Sequence, residues 1–179
     1  MAKTKSLADL FVNLLKDMYY AEKQIMKTLP KLAKHADSAE LRKTFEHHLK
    51  ETEGQVQRLE QVFALCDLKP VGKTCPAIKG ILEEGDEDIK EAGDPDVLDA
   101  GMIADAQAVE HYEIARYGTM IAWAEQLGMK EAVPLLQQTL EQAATPPTQR
   151  LCDFDGQLVV GRVQGNATPA VALGELGVR

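Results

Sequence analysis

The chain has 179 residues, 45% of them apolar and 27% charged, and a net charge of -8. That length suits one domain with a sizeable core, and the acidic balance speaks against a nucleic-acid partner, whose phosphates would be repelled. Only 5% of residues are aromatic; the dominant Leu, Ala, Glu, Lys and Gln lose little rotamer freedom in a helix, so the composition favours helix over sheet.

The opening Met-Ala-Lys-Thr-Lys-Ser leads into an amphipathic segment containing Asp9, with no apolar signal region. No apolar run approaches the length of a membrane span. Cys66, Cys75 and Cys152 are odd in number and lack metal-ligand spacing, which predicts reduced thiols in a cytoplasmic protein.

Apolar residues at 7, 10, 11, 14, 15, 18, 25, 29 and 32 predict a first helix from Ser6 to about Ala36, with Pro30 expected to kink or shorten it. Asp37 and Glu40 then suggest a capping box for a second helix, whose stripe is Leu41, Phe45, Leu49, Val56, Leu59 and Phe63. It should end near Asp67, before Pro70 and Gly72. Residues 68–94 form a long connection with a short helix expected around Ala77–Glu84, and the acidic run Glu83–Asp88 reads as a solvated face. Asp94-Pro95 reads as N-cap and first position of a third helix that runs to about Gln126, with Gly128 as its stop. A fourth helix starts near Met129. Two helical hairpins joined by one long crossover, itself containing a helix, describe an all-α, antiparallel four-helix bundle over residues 1–145.

The end of the chain differs in character. Pro146-Pro147 stops the fourth helix after about four turns, and residues 146–179 contain no Lys and a turn signal at Asp155-Gly156. A small hairpin and a disordered tail both fit. A fourth helix this short also leaves apolar surface on the other three, so dimerisation or aggregation is expected.

A helical wheel turns several ionisable groups inward. Glu22 lies between Met18 and Ile25 on the first stripe; His48 follows Phe45 by three, and Glu51 sits at the margin of the same stripe. Glu110 and Glu113 fall on the stripe of Ile103, Ala106, Tyr117, Met120, Ile121 and Ala124. Taken alone, His48 reads more readily as a hydrogen-bonded core histidine than as a ligand, and Glu22 equally as half of an ion pair. Tyr19, Tyr20, Tyr112 and Tyr117 read as packing residues with a polar tip, and His47 and His111 as surface groups. Several buried carboxylates in one layer repel each other and cost several kcal/mol each if uncompensated. Either divalent cations or shared protons at raised pKa values can hold them. Carboxylates completed by an imidazole form the ligand set of di-iron and di-manganese centres in bundle cores. Glu22 and Glu51 are 29 residues apart and Glu110 and Glu141 are 31 apart, as expected of two related hairpins each giving half a site.

Four segments, Asp17-Met-Tyr-Tyr-Ala-Glu-Lys-Gln, Phe45-Glu-His-His-Leu-Lys-Glu-Thr-Glu-Gly-Gln, Cys75-Pro-Ala-Ile-Lys-Gly and Glu110-His-Tyr-Glu-Ile-Ala-Arg-Tyr-Gly-Thr, resemble the YciE/YciF family of ferritin-like bacterial proteins. The resemblance covers roughly residues 6–142. It implies a rubrerythrin-like bundle, a homodimer and a link to stress responses, with no assigned reaction. Carried over, its site positions are Glu22, His48, Glu51, Glu110 and Glu113, around two Fe or Mn ions in intact members. The departure is in the fourth helix, where an acidic pair and a Thr-Asp are replaced by Gln142, Ala143, Pro146 and Pro147, and where Glu141 points away from the core. This leaves a vestigial or incomplete site, with the metal absent, set against a redox or metal-handling centre acting on O2 or peroxide. A frameshift after about Gln142 would explain the departure; a confirmed, unbroken reading frame through Arg179 would exclude it.

Overall fold

The computed structural model describes residues 4–144, and every described element is helical: α1 (Leu7–His35), α2 (Ala39–Leu65), α3 (Pro76–Glu91), α4 (Pro95–Gln126) and α5 (Ala132–Ala144). Helices α1, α2, α5 and α4 pack in a closed ring, each against its two neighbours, and α3 lies across α1 and α4. This is the all-α bundle expected from the hydrophobic periodicity. None of the described helices is long and apolar enough to cross a membrane. The proposed tail, its frameshift, Cys152 and the boundary at residue 145 lie outside the described residues.

Local chemistry explains the helix ends, with four corrections to the sequence reading. A capping box does form, but at the start of α1: the Ser6 hydroxyl accepts from the Asp9 N–H at 3.1 Å while the Asp9 carboxylate accepts from the Ser6 N–H at 3.0 Å. For α2 the cap is Ser38, which accepts from the Glu40 and Leu41 N–H groups. Asp37 is not the cap: the first N–H groups of α2 bond to the hydroxyl of the residue after it. Pro30 does not shorten α1, which continues to His35; the proline is exposed, and burial of Leu29 and Leu32 on either side offsets its missing donor. The connecting helix is longer than expected, Pro76–Glu91 rather than Ala77–Glu84, so the acidic run is helical, with Glu83, Glu84, Glu87 and Asp88 facing solvent. Gly128 adopts φ 72°, a left-handed stop after α4, and α5 starts at Ala132 rather than Met129.

Two tertiary ties hold the frame. The buried Asp99 carboxylate on α4 accepts from the backbone N–H groups of Asp37 at 2.9 Å and Ser38 at 2.8 Å, fastening the α1–α2 turn to α4. Asp99→Ala strands both donors, so urea unfolding should show a loss of about 2–3 kcal/mol; a loss below about 0.5 kcal/mol would show that the tie contributes nothing measurable. The second tie lays the loop after α2 along α1, through the Lys73 N–H to Lys16 carbonyl bond at 3.1 Å. Gly72 is needed there because a Cβ would sit 3.1–3.2 Å from Cβ and backbone atoms of Tyr20.

The core divides in two. One apolar cluster gathers α1 residues from Ala21 onward with Leu41, Phe45, Ile78, Met102 and Val109. The other gathers Phe11, Leu15 and Met18 with Leu59, Phe63, Tyr117 and Leu136. On each of the three long helices, buried polar residues fall between the two clusters: Glu22 on α1, His48, Thr52 and Gln55 on α2, and Glu110 and Glu113 on α4. The bundle therefore has a polar waist.

Candidate metal centre

The waist follows from helical spacing. His48 lies three residues after Phe45 and Glu110 follows Val109, so the same rotations that bury the apolar stripes carry these groups inside. Glu22, His48, Glu110 and Glu113 are buried, with Glu22 and Glu113 at 0% exposure. Three of the five predicted residues converge: one ligand-type atom each from His48, Glu110 and Glu113 lies within 4.8 Å of the others. The imidazole Nε2 of His48 is 3.3 Å from Oε1 of Glu110.

Glu22 is adjacent but engaged. The Tyr117 hydroxyl donates to its Oε1 at 2.6 Å, so Tyr117 is more than a packing residue. Glu51 stands apart at the edge, its side chain 21% exposed and 3.4 Å from the outward-facing His47. Glu141 is exposed, on the side of α5 away from the buried Ala143. Among the described residues, α5 brings no carboxylate to the cluster.

The side of α2 that meets α5 carries a further charged residue, which the apolar stripes did not single out. Arg58 donates from Nε to the Thr139 hydroxyl at 2.8 Å and from its terminal nitrogen to the Gln142 amide oxygen. Burial lowers the pKa of this half-buried guanidinium, and the charges of Tyr117, Glu22 and Glu51 pull it back up. It is the cation that offsets part of the acidic layer. A sequence signal existed: Arg58 lies seven residues, two helical turns, after Glu51 on the same side of α2.

Burial sets the protonation states. It pushes Glu22 up to about 7, against the opposing pull of the Tyr117 hydrogen bond and the Arg58 charge. Glu110 is pushed up to about 8 by burial and then by Glu22 and Glu51. Glu113 is raised well above the carboxylate range by burial and by the charges of Glu22 and Glu110. Burial moves His48 the other way, down to about 4. Without a cation the waist at neutral pH is thus a neutral imidazole among acids held at raised pKa values, with Glu113 close to Glu22.

The atoms left over test the fit to a metal. Both oxygens of Glu113, Oε2 of Glu22 and both ring nitrogens of His48 are buried without a hydrogen-bond partner. Buried polar atoms are rarely orphaned in this way. A neutral imidazole and convergent carboxylate oxygens are the donor set of borderline divalent ions such as Fe(II) and Mn(II). The residues fit one ion. For a second they fall short, since Glu22 holds Tyr117, Glu51 faces His47 and α5 offers Thr139 and Gln142 to Arg58.

Comparison with known proteins decides the family. The family described as "Domain of unknown function (DUF892)" matches residues 6–147. The chain belongs to this family. It is 45% identical over 139 residues to Protein YciF of Escherichia coli (strain K12), covering 77% of this chain and 84% of YciF. The crystal structure of that E. coli stress protein superposes with a TM-score of 0.76 at 44% identity, over 79% of this chain and 89% of the other. YcfI from Rhodopseudomonas palustris superposes with a TM-score of 0.79 at 48% identity, over 81% of this chain and 92% of its own. A protein from Xanthomonas campestris pv. campestris shares the fold at 21% identity, with a TM-score of 0.62 and coverage of 78% and 85%.

Proposed function

We propose that this member of the DUF892 family is a ferritin-like, stress-associated protein whose core carries an incomplete di-metal centre. His48, Glu110 and Glu113 would hold a single divalent ion. The stress association rests on the likeness to YciF. One observation supports the metal reading: the oxygens of Glu113 and the ring nitrogens of His48 are buried and make no hydrogen bond within the protein. A bound Fe or Mn would supply electron transfer toward O2 or peroxide. The residues of the chain do the rest. Burial keeps the imidazole unprotonated and ready as a ligand, Tyr117 orients Glu22 beside the site, and Arg58 fills the α5 side, where further carboxylates would be required for a second ion.

A complete two-ion centre is the competing reading, supported by the contact between Glu22 and Glu113. Titration of metal-free protein with Fe(II) or Mn(II) under anaerobic conditions, followed by elemental analysis, separates the two. About one ion per chain is expected, and about two would establish the full centre. Less than about 0.2 ion per chain, unchanged by Glu22→Ala, would rule out a metal role.

A further inference from the structure

Close-packed interiors leave few voids larger than a water molecule, yet one lies beneath α3. It holds about 30 Å³, is partly open to the surface, and is lined mainly by Ile25 and Leu29 of α1, Ile81 and Leu82 of α3, and Val109 of α4, with Thr28, Asp105 and, from α2, His48 also on its wall. The lining is almost wholly apolar. About 10–15 Å³ suffices for one water, but a stable water also needs two to four polar partners, and enclosed apolar cavities stay dry and accept apolar guests. The ring nitrogens of His48 are themselves buried and the void exposes almost no polar surface, so it offers a water too few partners. The cover is the least anchored helix of the bundle: Ile78 and Gly85 are its only buried residues. Gly85 lets α3 lie close on α4, since a Cβ there would be 3.0 Å from Asp105 Oδ2.

We propose that this cavity is a binding site for one small, uncharged, apolar molecule of diatomic size, admitted beneath α3 and delivered against His48. Dioxygen belongs to this class, whereas peroxide, which needs hydrogen-bond partners, does not. A charged or strongly polar guest would lose its hydration against Ile25, Leu29 and Val109 with nothing in return. The site deepens the metal-centre reading by naming what reaches it, but the cavity itself exists without a metal.

The test therefore uses metal-free protein and xenon. Backbone amide spectra recorded under about 10 bar of xenon should show saturable shifts confined to residues around 25–32, 81–85 and 105–109, as expected for an apolar cavity of this kind. Ala106→Leu, which adds bulk from the α4 wall, should reduce those shifts at least fivefold. Leu82→Phe, placed on the half-buried outer wall, does the same from α3 if the first variant folds poorly. Dioxygen in place of xenon should speed relaxation of the His48 ring protons in the wild type and not in the filled variants. Absence of saturable shifts, or shifts unchanged in both folded variants, overturns the proposal. That result would leave the metal titration untouched, and failure of the titration would leave the xenon site standing.

Discussion

Replacing Glu113 by leucine should make the metal-free protein more stable. The wild-type side chain is fully enclosed, neither of its oxygens has a donor, and Glu22 and Glu110 both press on it with like charge. Exchanging buried charged groups for well-packed apolar ones of similar volume is neutral or stabilising by about 1–4 kcal/mol. A gain of about 2 kcal/mol corresponds to a rise in Tm of roughly 4–8 °C in a domain of this size. The gain should be larger at pH 8, where keeping Glu113 protonated costs most, than at pH 5. Saturating Fe(II) or Mn(II) should reverse the order: a ligand at about 100 times its Kd adds about 2.7 kcal/mol to the wild type and little to the variant. Calorimetry with and without metal reads both effects. A lower melting temperature for metal-free Glu113→Leu would show that the carboxylic acid contributes structure, through its packing beside Glu22, rather than waiting for a cation.

The second large effect is on pH dependence. Glu22 is raised to about 7 and Glu110 to about 8, with Glu113 also well above its ordinary value. An acid whose folded pKa exceeds its unfolded one gives stability that is complete below the unfolded value, near 4.5, and is lost as pH rises through the folded value. His48, lowered to about 4, works in the opposite sense: its contribution is complete above about 6.5 and is lost as pH falls through about 4. Three acids outweigh one imidazole over their shared window. Metal-free protein should therefore lose stability between pH 5 and pH 8, by on the order of 3 kcal/mol. Metal affinity must run the other way, because the carboxylates release protons to bind, so the difference between loaded and metal-free melting temperatures should widen across the same range. Urea midpoints that stay flat or rise from pH 5 to pH 8 without metal would mean that the waist is already ionised, and hence more hydrated than its burial implies.

Both expectations rest on residues that were legible in part. The stripe rule placed Glu22, His48, Glu110 and Glu113 inside because burial of a helix face depends on rotation alone, and Met18, Ile25, Phe45 and Ala106 set that rotation. It placed Glu51 at the margin, which is where it sits beside His47. The asymmetric fate of the glutamates was not legible. Whether a buried carboxylate meets a hydroxyl, an imidazole or another carboxylate depends on the axial offset between helices, and no local pattern encodes that offset. Tyr117 and Glu22 are 95 positions apart and meet only because α1 and α4 pack side by side. Arg58 escaped notice for the same reason, since its partners Thr139 and Gln142 lie on α5.

The helix ends divide in the same way. Asp94 caps α4 by accepting from the nearby Asp96 and Val97 N–H groups, and Pro95 and Gly128 act through their own backbone geometry, so these local roles could be read directly. Asp37 looked like a cap, but Asp99 of a distant helix holds the backbone of both Asp37 and Ser38, and in that turn the Ser38 hydroxyl meets the first N–H groups of α2. Composition and apolar spacing therefore determined that the chain folds as helices with acids and a histidine turned inward, because both follow from a period of 3.6 residues. Which of those groups converge, which are already engaged and where a dry cavity reaches them were decided only when α1, α2, α4 and α5 closed their ring and α3 settled over it, since each contact joins atoms from different helices whose relative height is a property of packing.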